Sequence, residues 1–225
     1  MTYHSISVDG PSGAGKSTLA RMLAEALGYL YVDTGAIYRT VGLYARRRDI
    51  SLADIGAVTD CLGRFSIDMR HGGDGLQHMY LDGEDVTEAI RAPEVSMYAS
   101  AVSALPEVRS FLMDMQRDMA KRHNVIMDGR DIGTVVLPQA DVKIFLTATA
   151  EDRARRRHRE LAARGIETDY QQVLNELILR DKNDSERTAA PLRRAEDALL
   201  VDTTGNSLEE SFDVLLQTIK ERLKA

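Results

Sequence analysis

The stretch DGPSGAGKST, residues 9–18, stands between the apolar run SISV and the amphipathic segment LARMLAEAL. Gly10, Pro11, Ser12, Gly13, Ala14 and Gly15 carry so little side chain that the backbone itself can approach a bound group closely. Lys16 then adds a cation, and Ser17 and Thr18 add hydroxyls, where the helix is expected to begin. Gly10, Gly15, Lys16 and Ser17 meet the spacing G-x-x-x-x-G-K-[ST], and the strand before and helix after are the setting this pattern needs. Free amides at a helix N-terminus attract anions, and a bent loop adds further inward-facing N–H groups. The stretch predicts a polyphosphate site on an α/β framework. It leaves open whether the nucleotide is hydrolysed, serves as a switch, or phosphorylates something else.

Working outward, five short apolar runs read as buried strands: HSISVD (4–9), YLYVD (29–33), NVIMD (124–128), VKIFLTA (142–148) and ALLVD (198–202). They are nearly continuous rather than alternating, as parallel strands covered on both faces are. Helical patterns separate them at 17–27, 93–121, 151–165 and about 170–187. A last helix at 207–223 opens with Ser207 and Glu210 in capping-box spacing. The expected fold is α/β, a five-stranded parallel sheet with helices on both faces. Four strands end in aspartate, at Asp9, Asp33, Asp128 and Asp202, where ligands gather in such sheets. Some of these acids are expected to serve only as helix caps. Residues 64–90 break the rhythm, and RFSIDMR, HGGDG and LQHMYLDGED read as a small antiparallel insertion.

A chain of 225 residues suits one domain and buries enough surface to need no staple. Its single cysteine, Cys61, excludes an internal disulfide and reads as a half-buried helix residue; no Cys/His cluster has zinc spacing. The first residues already form a strand pattern, and no run of about 18 apolar residues occurs, so a soluble, cytoplasmic protein without membrane attachment is expected. A net charge of −6 argues against binding a nucleic-acid polymer. Arginines nevertheless outnumber lysines 23 to 6, and arginine grips phosphates and base edges with a planar fork.

Three further segments place polar residues where a plain core has no use for them. DTGAIYR (33–39) follows the second strand, and DGRDIGTVVLP (128–138) continues the third. Asp128 ends an apolar run where an acid often supports Mg²⁺ beside a phosphate loop. Arg130 and Asp131 follow it; as a mere surface pair they would contribute little. In RDKNDSER, Arg180, Asp184 and Arg187 are spaced to share one helix face, as a solvated ion-pair ladder also would. RARRRHR (153–159) sets Arg153, Arg156 and Arg157 on one side, a crowd that repels itself unless anions are near. It fits closure over phosphates and a solvated face equally.

GPSGAGKST, DTGAIYR and DGRDIGTVVLP, with APL at 190–192, together resemble the bacterial cytidylate kinases of the nucleoside monophosphate kinase fold. The likeness runs from the first strand to the last helix. DGRDIGTVV carries most of its specificity, since phosphate loops are shared by very many NTPases. The resemblance implies a single P-loop kinase domain over 1–225, with an acceptor-binding region at 34–110, the β insertion at about 64–90 and a short helical lid at about 152–168. Residues 10–18 would bind ATP. Thr34, Arg39, Ser100, Arg109, Arg130, Asp131, Arg180, Asp184 and Arg187 would bind the acceptor. Within that set, Arg39 and Arg130 would hold its phosphate, Ser100, Arg109 and Asp131 would address the cytosine edge, and Arg180 and Asp184 would meet the sugar. Lys16, Arg130, Arg153 and Arg157 would act in catalysis.

Cytosine offers an N4 amino donor and acceptors at N3 and O2, so a carboxylate suits one end and arginine or serine the other. Uracil would set O4 against the carboxylate, leaving two acceptors without a proton. The implied activity is transfer of the ATP γ-phosphate to CMP or dCMP, with Mg²⁺ held by Ser17 and supported through water by Asp33 or Asp128. The enzyme would work as a monomer with ATP and CMP or dCMP as partners. The rival readings are another small-molecule kinase, with UMP or shikimate as acceptor, and a regulatory NTPase switch. No N-K-x-D guanine reader is present for the switch.

Overall fold

Ile6 and Val8 of the first strand are fully buried, and so is Ser7 on the opposite side of the pleat, which explains why SISV does not alternate. A computed structural model describes residues 3–73, 75–163 and 165–224. The turn HGGDG includes residue 74 and the expected lid includes residue 164. Both lie outside the described residues, as do 1, 2 and 225 of the expected domain.

The elements in chain order are β1 (Ser5–Asp9), α1 (Lys16–Leu27), β2 (Leu30–Asp33), α2 (Thr34–Arg47), β3 (Ile67–His71), β4 (Gln77–Leu81) and β5 (Glu84–Asp85). There follow α3 (Pro93–Ser103), α4 (Pro106–Arg122), β6 (Val125–Gly129), β7 (Val142–Thr147), α5 (Ala150–Ala163), α6 (Tyr170–Glu186), β8 (Leu199–Asp202) and α7 (Leu208–Arg222). A π-helical turn occupies Ile132–Val136. Five strands form one sheet in the order β2-β6-β1-β7-β8, and β3-β4-β5 form a second, antiparallel sheet. Ile6 lies opposite Ile126 and Val142, so β1 is held on both edges by parallel neighbours. The chain leaves β1 toward β2 on one side and passes from β6 to β7 on the other. The loops after β1 and β6 therefore open at a reversal of strand order, where α/β sheets bind ligands.

Two compact units result, Met1–Leu30 with His123–Ala225, and Tyr31–Arg122. The first is built around β1, β6, β7 and β8, with Ile6, Ile126, Met127, Ile144 and Leu146 in its core. α1 ends at Gly28, whose left-handed backbone (φ 67°) returns its amide to Ala24 and Glu25. α7 begins with the expected capping box, Ser207 with Glu210. The second unit holds the antiparallel insertion and α2–α4. Tyr44 stacks on Phe65 with centroids 4.0 Å apart, and Phe111 meets Phe65 edge-on. The acceptor-binding region expected at 34–110 falls within this unit. Cys61 is half-buried at the end of a 3-10 segment, Leu52–Cys61.

The sequence patterns differ from the fold at four places. The helical stretch 93–121 is two helices, because Pro106 lacks an amide and disfavours helical backbone at Leu105. α2 escaped the periodicity reading because its ten buried residues of 14 include Thr34, Thr40 and Gly42, which do not mark a core face. Residues 128–138 are not a plain loop but contain the π-turn. Arg187 lies one residue past the end of α6 in extended backbone, so it does not continue the face of Arg180 and Asp184.

Candidate active site

The loop after β1 turns because Gly10 sits at φ 148°, where a Cβ would fall 1.9 Å from the Leu146 carbonyl oxygen. No other residue fits there without moving β7. Gly15, left-handed at φ 87°, starts α1 without a side-chain cap, and the first turn holds no acid. The helix's leading amides are thus left for an external anion. Lys16 is buried, and its Nζ donates to the Pro11 carbonyl at 2.7 Å. Burial and the nearby Arg130 push its ammonium well below the usual lysine range; Arg180 adds to this, while Asp128 and Asp184 oppose it. Ser17 Oγ donates to Asp128 at 2.8 Å, joining the start of α1 to the end of β6.

The four strand-end acids divide their work. Asp9 accepts from the Ile132 and Gly133 amides, each at 2.7 Å, and so caps the π-turn. Burial pushes its carboxyl up to about 6, against the pull of those two amides. A Cβ at Gly133 would lie 2.7 Å from Ser7 Oγ and 3.2 Å from Asp9 Oδ2, so any larger residue would displace side chains at this contact. Asp33 caps α2 through the Ala36 amide, Asp202 accepts from Thr204, and Asp128 meets Ser17.

Arg130 and Asp131 do not pair with each other in the way a surface turn would. Arg130 Nε donates to Asp184 at 2.8 Å, and Arg187 lies 3.3 Å from Asp131, with all four side chains largely buried. Burial works to raise the Asp184 carboxyl, but Arg130, then Arg180 and Arg187, outweigh it and hold it below the usual range. Arg187 Nε also donates to Ala190, a non-glycine residue at φ 49°, and Leu192 N returns to the Asp184 carbonyl. The APL segment thereby closes the end of α6. Lys16, Arg130 and Arg180 bring three cations within electrostatic reach of one another, which favours an anionic ligand.

The arginine crowd on α5 finds its anions within the protein. Arg153 is buried and donates to Ala148 O, Ser12 O and Asp181, the last at 2.6 Å. It braces the phosphate loop rather than lying on an exposed face. Arg156 pairs with Asp152 and donates to Thr203 O, with Nη1 3.9 Å from where a Gly15 Cβ would stand. Arg157 is part-exposed and pairs with Glu160 at 3.0 Å. Asp181 and Asp152 were not singled out from sequence; a partner for Arg153 one helix away leaves no local spacing signal.

The second unit gathers the other expected residues. Arg39 Nη2 donates to Asp33 at 2.6 Å, and Gly35 lets the guanidinium lie close, since a Cβ would be 3.1 Å from Nη1. Arg39 Nε is buried without a partner among the described residues. Thr34 is buried at the first position of α2. Arg109 is buried, reaches the Ser103 carbonyl at 3.3 Å and lies 5.7 Å from the centre of the Tyr38 ring. Ser100, half-buried on α3, accepts from Ser103 Oγ through its carbonyl.

A family profile described as Cytidylate kinase matches residues 6–221. A cytidylate kinase of Caldicellulosiruptor bescii is 52% identical over 224 residues, covering 100% of this chain and 99% of that protein. One of Carboxydothermus hydrogenoformans is 52% identical over 214 residues, covering 95% and 96%. Among solved structures, an uncharacterized protein from Eubacterium ventriosum shares the fold at a TM-score of 0.54 and 12% identity, covering 98% of this chain and 99% of that one.

Proposed function

The chain belongs to the cytidylate kinase family, and on that premise we propose how its residues move the γ-phosphoryl group of ATP to CMP or dCMP. The observation that carries the reading is the near-complete coverage of both chains at 52% identity. The phosphate loop, residues 10–18, takes the ATP phosphates on its amides, and Lys16 neutralises the β and γ groups. Burial and neighbouring arginines hold the Lys16 ammonium below its usual range, and phosphate charge opposes that shift by favouring the charged form.

Mg²⁺ fits the hydroxyl of Ser17 beside the Asp128 carboxylate, 2.8 Å apart. A cation held there would draw its remaining ligands from substrate phosphates and water. Bound there it would offset charge between the β and γ phosphates. Asp128 is the better support of the two acids, because Asp33 is committed to Arg39 and the α2 cap.

Arg39 and Arg130 are assigned to the acceptor phosphate, and Arg39 Nε supports this as a buried donor still to be satisfied. Arg180 and Asp184 are assigned to the sugar, with Thr34 and Arg187 alongside. Ser100, Arg109 and Asp131 read the cytosine edge. The attacking phosphate is already an anion, so alignment and charge stabilisation suffice without a general base. Arg153 orders the loop through Ser12, while Arg157 is free to exchange Glu160 for phosphate. The protein acts without a membrane or a nucleic-acid polymer, as a cytoplasmic monomer.

Asp131→Asn tests the assignment. A neutral amide is a weaker partner for cytosine N4, and it can rotate to donate to uracil O4. We expect the ratio of kcat/KM for CMP over UMP to fall by tenfold or more, about 1.4 kcal/mol in differential transition-state binding. The change also weakens the bond to Arg187, so folding is checked by thermal melting. Equal loss toward both acceptors would give Asp131 an ordering role instead.

A further inference from the structure

The β insertion has no part in the chemistry above, yet two of its side chains close on one short piece of backbone. His71 ends β3 and Gln77 begins β4, and the two lie opposite each other in the antiparallel register. His71 Nε2 donates to the Tyr31 carbonyl at 2.8 Å. Gln77 Oε1 accepts from the Asp33 amide at 2.8 Å, and its Nε2 donates to the Asp33 carbonyl at 3.1 Å and to Met79 Sδ at 3.2 Å. These partners fix the orientation of the Gln77 amide, since a flipped amide would set donor against donor and acceptor against acceptor.

The reason lies in the strand. β2 is the outer strand of the parallel sheet, and the Leu30 amide turns inward to Asn124 O. Tyr31 and Asp33 alternate with the inward-facing positions and turn their amides and carbonyls to the open edge. That edge needs partners. The insertion supplies them with a planar amide head, whose separate oxygen and NH₂ group accept from the Asp33 amide and donate to its carbonyl at once. Asn would be a methylene too short.

Asp33 is also where the insertion meets the reaction. Its carboxylate caps α2 at Ala36 and pairs with Arg39 at 2.6 Å. Fixing the Asp33 backbone on both sides therefore fixes the carboxylate that aims Arg39. At the other end of α2, Arg47 makes a two-pronged bond to Glu84 of β5, at 2.6 and 2.8 Å, so the insertion holds both ends of the helix that carries Arg39. We propose that Gln77 is a positioning residue for acceptor binding, acting through Asp33 on Arg39, and that the insertion serves to supply it. The proposal rests on the reading of Arg39 as a ligand of the acceptor phosphate.

Steady-state kinetics of the full chain test this with Gln77→Leu, Arg39→Ala and the double variant. We expect Q77L to raise the KM for CMP about tenfold while the KM for ATP and kcat stay within about twofold. In the Arg39→Ala background the same change should add less than about twofold, because its route of action is gone. Should Q77L melt too low for assay, Gln77→Met keeps the length of the side chain and loses both bonds to Asp33; the same pattern is expected. Full additivity in the double variant, or an equal rise in the KM for ATP, would overturn the proposal and leave Gln77 a structural residue. If Arg39→Ala itself leaves the KM for CMP unchanged, the assignment of Arg39 fails first and the role of Gln77 falls with it.

Discussion

Asp9 ends the central strand with its carboxylate buried under two backbone amides, and the cost of that burial shows in its titration. The folded protein holds its proton up to about pH 6, whereas the ordinary value is 3.8. Between those values the folded state binds more proton than the unfolded chain, so stability from this group is complete below about pH 4 and is lost as pH rises through 6. At about 1.4 kcal/mol per pKa unit the contribution is on the order of 3 kcal/mol. Asp184 works in the opposite sense and in another window: its lowered value stabilises above 3.8 and is lost as pH falls below it. Urea unfolding of the parent and of Asp9→Asn at a series of pH values between 4 and 7 separates the two. We expect the variant to lose most of the parent's downward slope with rising pH, whatever its absolute stability. An unchanged slope would show that Asp9 is ionised throughout.

At the scale of elements, α5 divides at its arginines. Arg153 and Arg156 tie its first half to the phosphate loop and to Thr203, while beyond them Arg157 pairs with Glu160, His158 bonds Thr168, and Leu161 sits in a buried cluster with Val173 and Leu177 of α6. A helix anchored this way can close over phosphates only from its second half. Hydrogen exchange with and without a bisubstrate analogue should show protection gained from 157 to 163 and little change from 150 to 156. Uniform protection along α5 would mean that the whole helix moves, with Arg153 leaving Ser12 and Asp181. No change anywhere would make α5 a fixed, solvated helix. Sequence left the crowd ambiguous for a related reason: charge spacing shows that three arginines share a side and sets Asp152 four residues before Arg156, but not that Asp181 of α6 satisfies Arg153.

Over the whole molecule, what was legible in the sequence is what local pattern dictates. β1, β6 and β7 were readable because parallel strands covered on both faces lose their alternation, and the phosphate loop because glycine spacing and a following lysine leave few alternatives. β8 was expected to be buried like them, but it is an edge strand with no fully buried residue and with Leu200 exposed. α2 was passed over, since its buried side includes Thr34, Thr40 and Gly42, which do not read as core. The pairing of Arg130 with Asp184 and of Arg187 with Asp131 was not readable either, because it joins residues 54 and 56 apart in sequence. The insertion's tie to Asp33 was hidden for the same reason. The central claim is that this chain phosphorylates cytidine monophosphates from ATP, and a coupled ADP-release assay across CMP, dCMP, UMP, AMP, GMP and shikimate tests it directly. We expect CMP and dCMP to be turned over with kcat/KM roughly a hundredfold or more above UMP, a ratio within reach of a site that hydrogen-bonds the distinguishing group. Release of ADP without any acceptor should be slow beside either. A preference for UMP, AMP or shikimate, or turnover indifferent to the acceptor, would contradict it.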